Sequence, residues 1–324
     1  MINIVRFEQI FSKKIIMKKN HFLLSLVVLF IVSCNKTKDS SDDNSSITDY
    51  NDNNTAGPVD TYVFNNELVW FDEFNEDGSI SLDRWTPETI PPVDGCCWYN
   101  GEFQFYTDKS DNVKIEDGLL KITAKKENFN GKEYTSARLN TMDKYEFTYG
   151  KVEVRAKIPN GKGLWPAIWL LGANELDVGW PLCGEMDILE HGDWVKETTS
   201  NDEGLVSSAV HYHESQNLFQ YESLPNTIFG PNPNGHWVRG ERVIDNPYDQ
   251  FHIFSIQWSP EKIEFFIDEI KHLEFPILSN PNTPFNKPFF ILINLAVGGH
   301  FTDYYIDPNF SEATFEIDYV RVYQ

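Results

Sequence analysis

The sequence predicts an all-β fold, a jelly-roll sandwich of two antiparallel sheets. Val152, Val154, Ala156 and Ile158 alternate with Lys151, Glu153, Arg155 and Lys157, the period of a strand with one face in a core. Phe254, Ile256 and Trp258 alternate with Ser255 and Gln257 in the same way, and Phe289-Phe290-Ile291-Leu292-Ile293 is continuously apolar, as a central strand covered on both faces would be. No long window carries a 3.6-residue apolar period, while Gly118, Gly131, Gly150, Gly161 and proline-rich stretches punctuate the chain. Two packed antiparallel sheets bury such strands, and a curved sheet offers a groove across its concave face.

Residues 1–34 read as an export segment. Lys13, Lys14, Lys18 and Lys19 precede the apolar run Phe22 to Val32, which is too short to span ~30 Å of hydrocarbon and has the length of a signal-peptide core. Ile31-Val32-Ser33-Cys34 resembles a bacterial lipobox, which implies that Cys34 is acylated and becomes the mature N-terminus. Met17 before Lys18-Lys19 is an alternative start. Residues 35–62 are expected to be a disordered acidic and polar tether, because Ser, Asp, Asn and Thr dominate and almost nothing apolar offsets the entropy of ordering. The remaining residues, 63–324, suit one β-sandwich domain, with no internal repeat.

Charge narrows the partners. Forty-nine Asp plus Glu against 27 Lys plus Arg give a net charge of −22, which argues against nucleic acid and against an anionic membrane surface. It also disfavours strongly anionic substrates. With Cys34 acylated, Cys96, Cys97 and Cys183 remain: either one of the adjacent pair bridges Cys183, or all three are thiols. No cysteine or histidine spacing suits zinc.

Gly184-Glu185-Met186-Asp187-Ile188-Leu189-Glu190 places three carboxylates in six residues. On a strand, Glu185 and Asp187 share a face, but Glu190 is an odd number of positions from Glu185. A β-bulge near Ile188-Leu189 would return Glu190 to the acidic face. Carboxylates that close push their pKa values apart, which lets one site hold a nucleophile and a proton donor. Trp165, Trp169, Trp180 and Trp194 lie nearby in sequence, unlike the surroundings of a solvated acidic face. Aromatic rings beside paired acids suit sugar stacking and glycosidic bond cleavage.

Gly179-Trp180-Pro181-Leu182-Cys183-Gly184 and the acidic strand that follows resemble the active-site strand of glycoside hydrolase family sixteen in its bulged, laminarinase-like form. The resemblance continues through Leu68-Val69-Trp70-Phe71-Asp72-Glu73-Phe74, Tyr134 to Thr141, Tyr149 to Arg155, Leu292 to Gly299, and Ile317 to Tyr323, covering about residues 65 to 324.

The resemblance implies retaining hydrolysis of a β-1,3-glucan by an endo-acting glucanase. Glu185 would be the nucleophile, Glu190 the acid and then the base, and Asp187 the group that tunes the nucleophile. It implies substrate contacts from Trp165, Trp169, Trp180, Asn100, Glu102 and Arg138, the last on the glycone side, with Trp98 and Tyr99 in the same loop region. His211 is expected to bind sugar or support the acid, with His213 undecided. Glu73, Gly118 and Asp318 match a structural calcium site built in part from backbone carbonyls; catalysis needs no cofactor. The domain is expected to be a monomer, lipid-anchored through Cys34 at the outer membrane or cell surface of a Gram-negative bacterium. Mixed-linkage glucan or a marine galactan is the second substrate reading. A non-catalytic glycan-binding lipoprotein would keep the aromatics but have no need of all three acids.

Overall fold

The computed structural model describes residues 62–93, 95–192, 204–213, 215, 227–232, 235–277 and 282–324. The expected export segment with Cys34, nearly all of the tether, and Trp194 lie outside these residues. The first strands are β1 (Leu68–Asp72), β2 (Thr86–Pro87), β3 (Gln104–Tyr106), β4 (Val113–Glu116), β5 (Leu119–Phe129), β6 (Lys132–Ser136) and β7 (Arg138–Asn140). Next come β8 (Gly150–Lys157), β9 (Leu164–Gly172), β10 (Glu185–His191), β11 (Leu205–His213), β12 (Thr227–Asn232) and β13 (Gly235–Val243). The chain closes with β14 (His252–Trp258), β15 (Lys262–Ile267), β16 (Ile270–Pro276), β17 (Phe289–Val297) and β18 (Glu312–Tyr323).

These form the two sheets expected. One has ten strands in the order β16-β15-β14-β8-β18-β5-β6-β3, with β1 added to β18 and β4 to β5. The other has eight, in the order β12-β13-β11-β10-β9-β17-β7-β2. Nearly every pairing is antiparallel; β3 with β6 is parallel. Asp117-Gly118 and Asn130-Gly131 turn tight hairpins with positive φ at both positions, the conformation that two-residue loops between right-twisted strands require.

The core lies between the sheets. Val152, Val154 and Ala156 of the ten-stranded sheet join Ile168, Leu170, Met186, Leu189 and Ile291 of the eight-stranded one in a single buried cluster. The alternation read at 151–158 is therefore the buried–exposed alternation of β8. All nine residues of β17 are buried, as its apolar run predicts. Their two faces differ: Phe289, Ile291 and Ile293 enter the core, whereas Phe290 and Leu292 pack on the outer face with Leu171, Cys183 and the half-buried Trp169. A second outer-face cluster is Trp165, Ala296 and Phe301. The outer face of the eight-stranded sheet thus carries its own apolar and aromatic patches, unlike an ordinary solvated face.

Cysteine pairing differs from both expectations. Cys96 is bonded to its neighbour Cys97, and Cys183 is a buried thiol. Cys183 packs with Leu171, Phe290 and Leu292, and burial raises its pKa to about 12, so it serves as a small apolar residue.

Candidate active site

β10 is built as its acids require. Against β9, Asp187 pairs with Trp169 and Leu189 with Ile168, leaving Ile188 as the extra residue. Against β11, Glu185 faces His211, Asp187 faces Ala209, and the register shifts before Glu190 meets Ser207. Met186, Ile188 and Leu189 all enter the core. The bulge therefore returns Glu190 to the face shared by Glu185 and Asp187. Gly184 begins the strand with φ of 79°, and a Cβ there would come within 2.9 Å of Pro284, so glycine sets the entry to β10.

Each acid has a distinct aromatic partner or histidine. The Trp180 indole N–H donates to Glu185 Oε2 (2.8 Å), and the Trp165 indole N–H donates to Glu190 Oε1 (3.1 Å). His211 Nε2 lies 3.2 Å from Asp187 Oδ2 and 3.9 Å from Glu185 Oε1. Trp165 is stacked on Phe301, centroids 4.9 Å apart, and meets His300 edge-on. His213 turns away to Ser215, its Nδ1 2.7 Å from the hydroxyl.

Burial is the main reason all three acids hold protons tightly. It raises Glu185, Asp187 and Glu190 each to about 8; the charge of Asp187 adds to the rise at both glutamates, and that of Glu190 at Glu185. His211 opposes the rise at both glutamates, the Trp180 N–H at Glu185, and the Trp165 N–H with Arg239 at Glu190. Near neutral pH such a site can hold an ionised carboxylate beside a protonated one, the condition for nucleophile and acid to coexist.

A second group lies across β9 from the acids. The Arg138 guanidinium is placed between two indoles, 4.8 Å from the Trp169 centroid and 5.3 Å from that of Trp98, and its Nε pairs with Glu88 at 2.9 Å. Trp169 Nε1 donates to Asn294 Oδ1 (2.9 Å), and Asn294 Nδ2 donates to the Tyr106 hydroxyl (3.3 Å). That hydroxyl donates to Glu102 Oε2 (3.0 Å), which also accepts from Gln104 (2.7 Å). Glu102 is buried, so of the loop residues expected to meet sugar it forms the floor, while Trp98, also buried, braces Arg138. Tyr99 is exposed, and Asn100 adopts a left-handed φ of 66°. Gly299 closes over this corner, where a Cβ would lie 3.2 Å from the Asn100 carbonyl and 3.5 Å from Trp165.

The structure thus gathers Trp165, Trp169, Trp180, His211, Arg138, Asn100 and Glu102 around or beside the acids. Sequence reading missed Asn294, Tyr106, Glu88 and Phe301, and also Trp237 and Arg239 on β13, which face the same way as His211 and Ala209. The alternation of Trp237, Arg239 and Glu241 with Val238 and Gly240 was a strand signal that could have found the last two.

The expected calcium residues also converge, though not as carboxylate ligands. Asp72 pairs with Val320 and Leu120 with Ile317, bringing Glu73 and Gly118 beside Asp318, which occupies a bulge in β18. Both Glu73 oxygens accept from Arg321 at 2.8 Å, and Asp318 Oδ2 pairs with Arg155. A calcium ion held by both carboxylates does not fit; backbone carbonyls and the other Asp318 oxygen would have to supply the donors.

Residues 100–321 match the family model described as glycosyl hydrolases family 16. The chain belongs to glycosyl hydrolase family 16. It is 35% identical to a beta-glucanase from Rhodothermus marinus, covering 80% of this chain and 85% of that one. It is also 35% identical to a glucan endo-1,3-beta-glucosidase from Cryptopygus antarcticus, over 78% and 90%. Among solved family 16 structures, a LamA variant from Zobellia galactanivorans in complex with laminaritriose and laminaritetraose is 38% identical with a TM-score of 0.68, covering 81% of this chain and all of that one. A laminarinase from Flavobacterium sp. UMI-01 is 37% identical with a TM-score of 0.65, covering 80% and 100%.

The buried acids make a stability prediction. The folded pKa of Asp187 lies above its unfolded value, so the folded state holds the extra proton and this group's stabilising contribution is lost as pH rises from about 4 to about 8. Asp187→Asn removes the titration. Its urea midpoint relative to wild type should climb across that window and level off above it. A midpoint difference that stays flat from about pH 4 to about pH 9 would mean Asp187 ionises freely.

Proposed function

We propose that this protein is a retaining endo-glucanase of the laminarinase type, acting on β-1,3-glucan. The observation that carries the reading is the bulged β10, which sets a buried Asp187 and the half-buried Glu185 and Glu190 on one face between indole donors, in a family 16 chain whose relatives include laminarinases and endo-1,3-glucosidases.

Glu185 attacks the anomeric carbon as the glycosidic C–O bond breaks, and Glu190 gives its proton to the departing oxygen. Water then attacks the glycosyl ester, Glu190 takes the water's proton, and the ester bond to Glu185 breaks. Trp180 holds one Glu185 oxygen, and Trp165 holds Glu190 Oε1, which leaves Glu190 Oε2 for the proton. Asp187, beside His211, disfavours ionisation of both glutamates and shares the proton load. Trp169 and Arg138 take glycone sugars by stacking and hydrogen bonding, with Asn100 and Glu102 at the edge and floor of that region. This chemistry uses only side chains and water. A calcium ion at the Glu73, Gly118 and Asp318 carbonyls would tie β1 and the β4–β5 turn to β18, distant in role from catalysis. Export as a lipoprotein acylated at Cys34, displayed by a polar tether at the outer surface, fits a polysaccharide substrate too large for import; the domain works as a monomer.

Glu185→Gln should lower kcat on laminarin by about 10³-fold or more while the protein still binds oligosaccharide. Comparable kcat in mutant and wild type would remove Glu185 from its role. Glu190→Ala should lose far less rate on aryl glycosides with a good leaving group than on laminarin, since protonation then matters less; equal losses would mean another group is the acid. For the anchor, Cys34→Ala should move the protein from the membrane fraction to the soluble one, and retention in the membrane would place the anchor elsewhere.

A further inference from the structure

Behind the acids, the core-facing row of β11 carries a hydroxyl. Val206, Val210 and Tyr212 lie in the core between the sheets, and Ser208, which alternates with the outward Ser207 and Ala209, is fully buried among them. A hydroxyl in that place is costly unless it is hydrogen-bonded. It donates to the Ile188 carbonyl at 2.8 Å, and Ile188 is the extra residue of the β10 bulge. Ser208 stands opposite this bulge, between Ala209, which pairs with Asp187, and Ser207, which pairs with Glu190. A bulge interrupts the ladder, and here a side chain supplies a donor to its carbonyl.

Ser208 is met in turn by His272 of β16, from the opposite sheet. His272 Nε2 lies 2.9 Å from Ser208 Oγ. The hydroxyl has one proton and gives it to Ile188, so the ring is the donor and carries its proton on Nε2. Burial, with the nearby charge of Arg242, lowers the pKa of His272 to about 4, which keeps the ring neutral at neutral pH. Its Nδ1 has no partner among the described residues, so among them the ring's hydrogen bond is the one to Ser208. Two backbone features bring it there. His272 is itself an extra residue, since Phe266 pairs with Lys271 and Phe265 with Leu273. Gly240, opposite Ser208 on β13, lets β16 pass close: a Cβ there would come within 2.7 Å of Leu273 and 2.9 Å of the His272 carbonyl.

We infer that His272 and Ser208 are positioning residues for Glu190: His272 fixes the Ser208 hydroxyl, the hydroxyl holds the Ile188 carbonyl, and the bulge so held sets the direction of the Glu190 carboxyl two residues on. This rests on the reading above, in which Glu190 is the acid. Neither residue touches the substrate, because both act from the core side of the sheet. A rotation of the bulge would carry Glu190 away from the departing oxygen. Glu185 to Asp187 pair in regular register ahead of the bulge, so the nucleophile would stay in place and the loss would fall on proton donation.

The test compares wild type, Ser208→Ala, His272→Leu, His272→Gln and the double variant Ser208→Ala with His272→Leu, on laminarin and on an aryl β-laminaribioside with a good leaving group. The quantity read is kcat/KM, which reports the bond-breaking step. Ser208→Ala should lower it about tenfold on laminarin and far less on the aryl bioside, where protonation matters little. His272→Leu should shift the two substrates apart in the same direction, and His272→Gln, which keeps an N–H donor, should recover most of the loss. The double variant should be no worse than Ser208→Ala alone, because both residues act on one carbonyl. Equal losses on the two substrates, additive losses in the double variant, or an unchanged value on laminarin would overturn the positioning role. If Ser208→Ala does not fold, His272→Leu against His272→Gln decides by the same ratio. Failure of the wild type to cleave either substrate would instead overturn the proposed function.

Discussion

One residue inserted in β10 decides which side of the sheet Glu190 faces. Without Ile188 as an extra position, the odd spacing from Glu185 would send Glu190 into the core and leave its carboxylate unpaired among Leu and Phe side chains, at a cost of several kcal/mol. With it, Met186, Ile188 and Leu189 all reach the core while three carboxylates share the outer face. The packing of the sandwich and the geometry of the site are thus one constraint.

That arrangement has an electrostatic cost. Burial raises all three acids and the charge of Asp187 raises the two glutamates further, so the strand is held by its surroundings rather than by its own charges. The core beneath supplies the compensating apolar burial. Above, Trp180 donates to Glu185 and Trp165 to Glu190, while His211 lies against Asp187 and reaches towards Glu185. The distinct partners are what allow neighbouring acids of similar proton affinity to take different parts in the reaction.

Much of this was legible in the sequence. Period-2 alternation marked β8 and β14, the apolar run marked β17, and the odd spacing of Glu190 pointed to the bulge. Trp165 and Trp169, four apart, share the outer face as a strand requires. Contacts between distant strands were not legible: Asn294 meets Tyr106 across 188 positions, and Arg138 finds its place between Trp98 and Trp169 only after β7 and β9 are brought to β17. Nor did the residue types at Glu73 and Asp318 reveal that arginines would occupy their carboxylates, or that Cys96 would pair with its neighbour.

Direct attack by Glu185 and a glycosyl-enzyme intermediate require that the bulge hold Glu185 and Glu190 close together. The anomeric proton of the newly formed reducing end, followed by NMR in the first minutes of laminarin hydrolysis, reports on this. The β-anomer should appear first and the α-anomer only as mutarotation proceeds. An initial α-product would mean inversion, with water rather than Glu185 attacking the sugar.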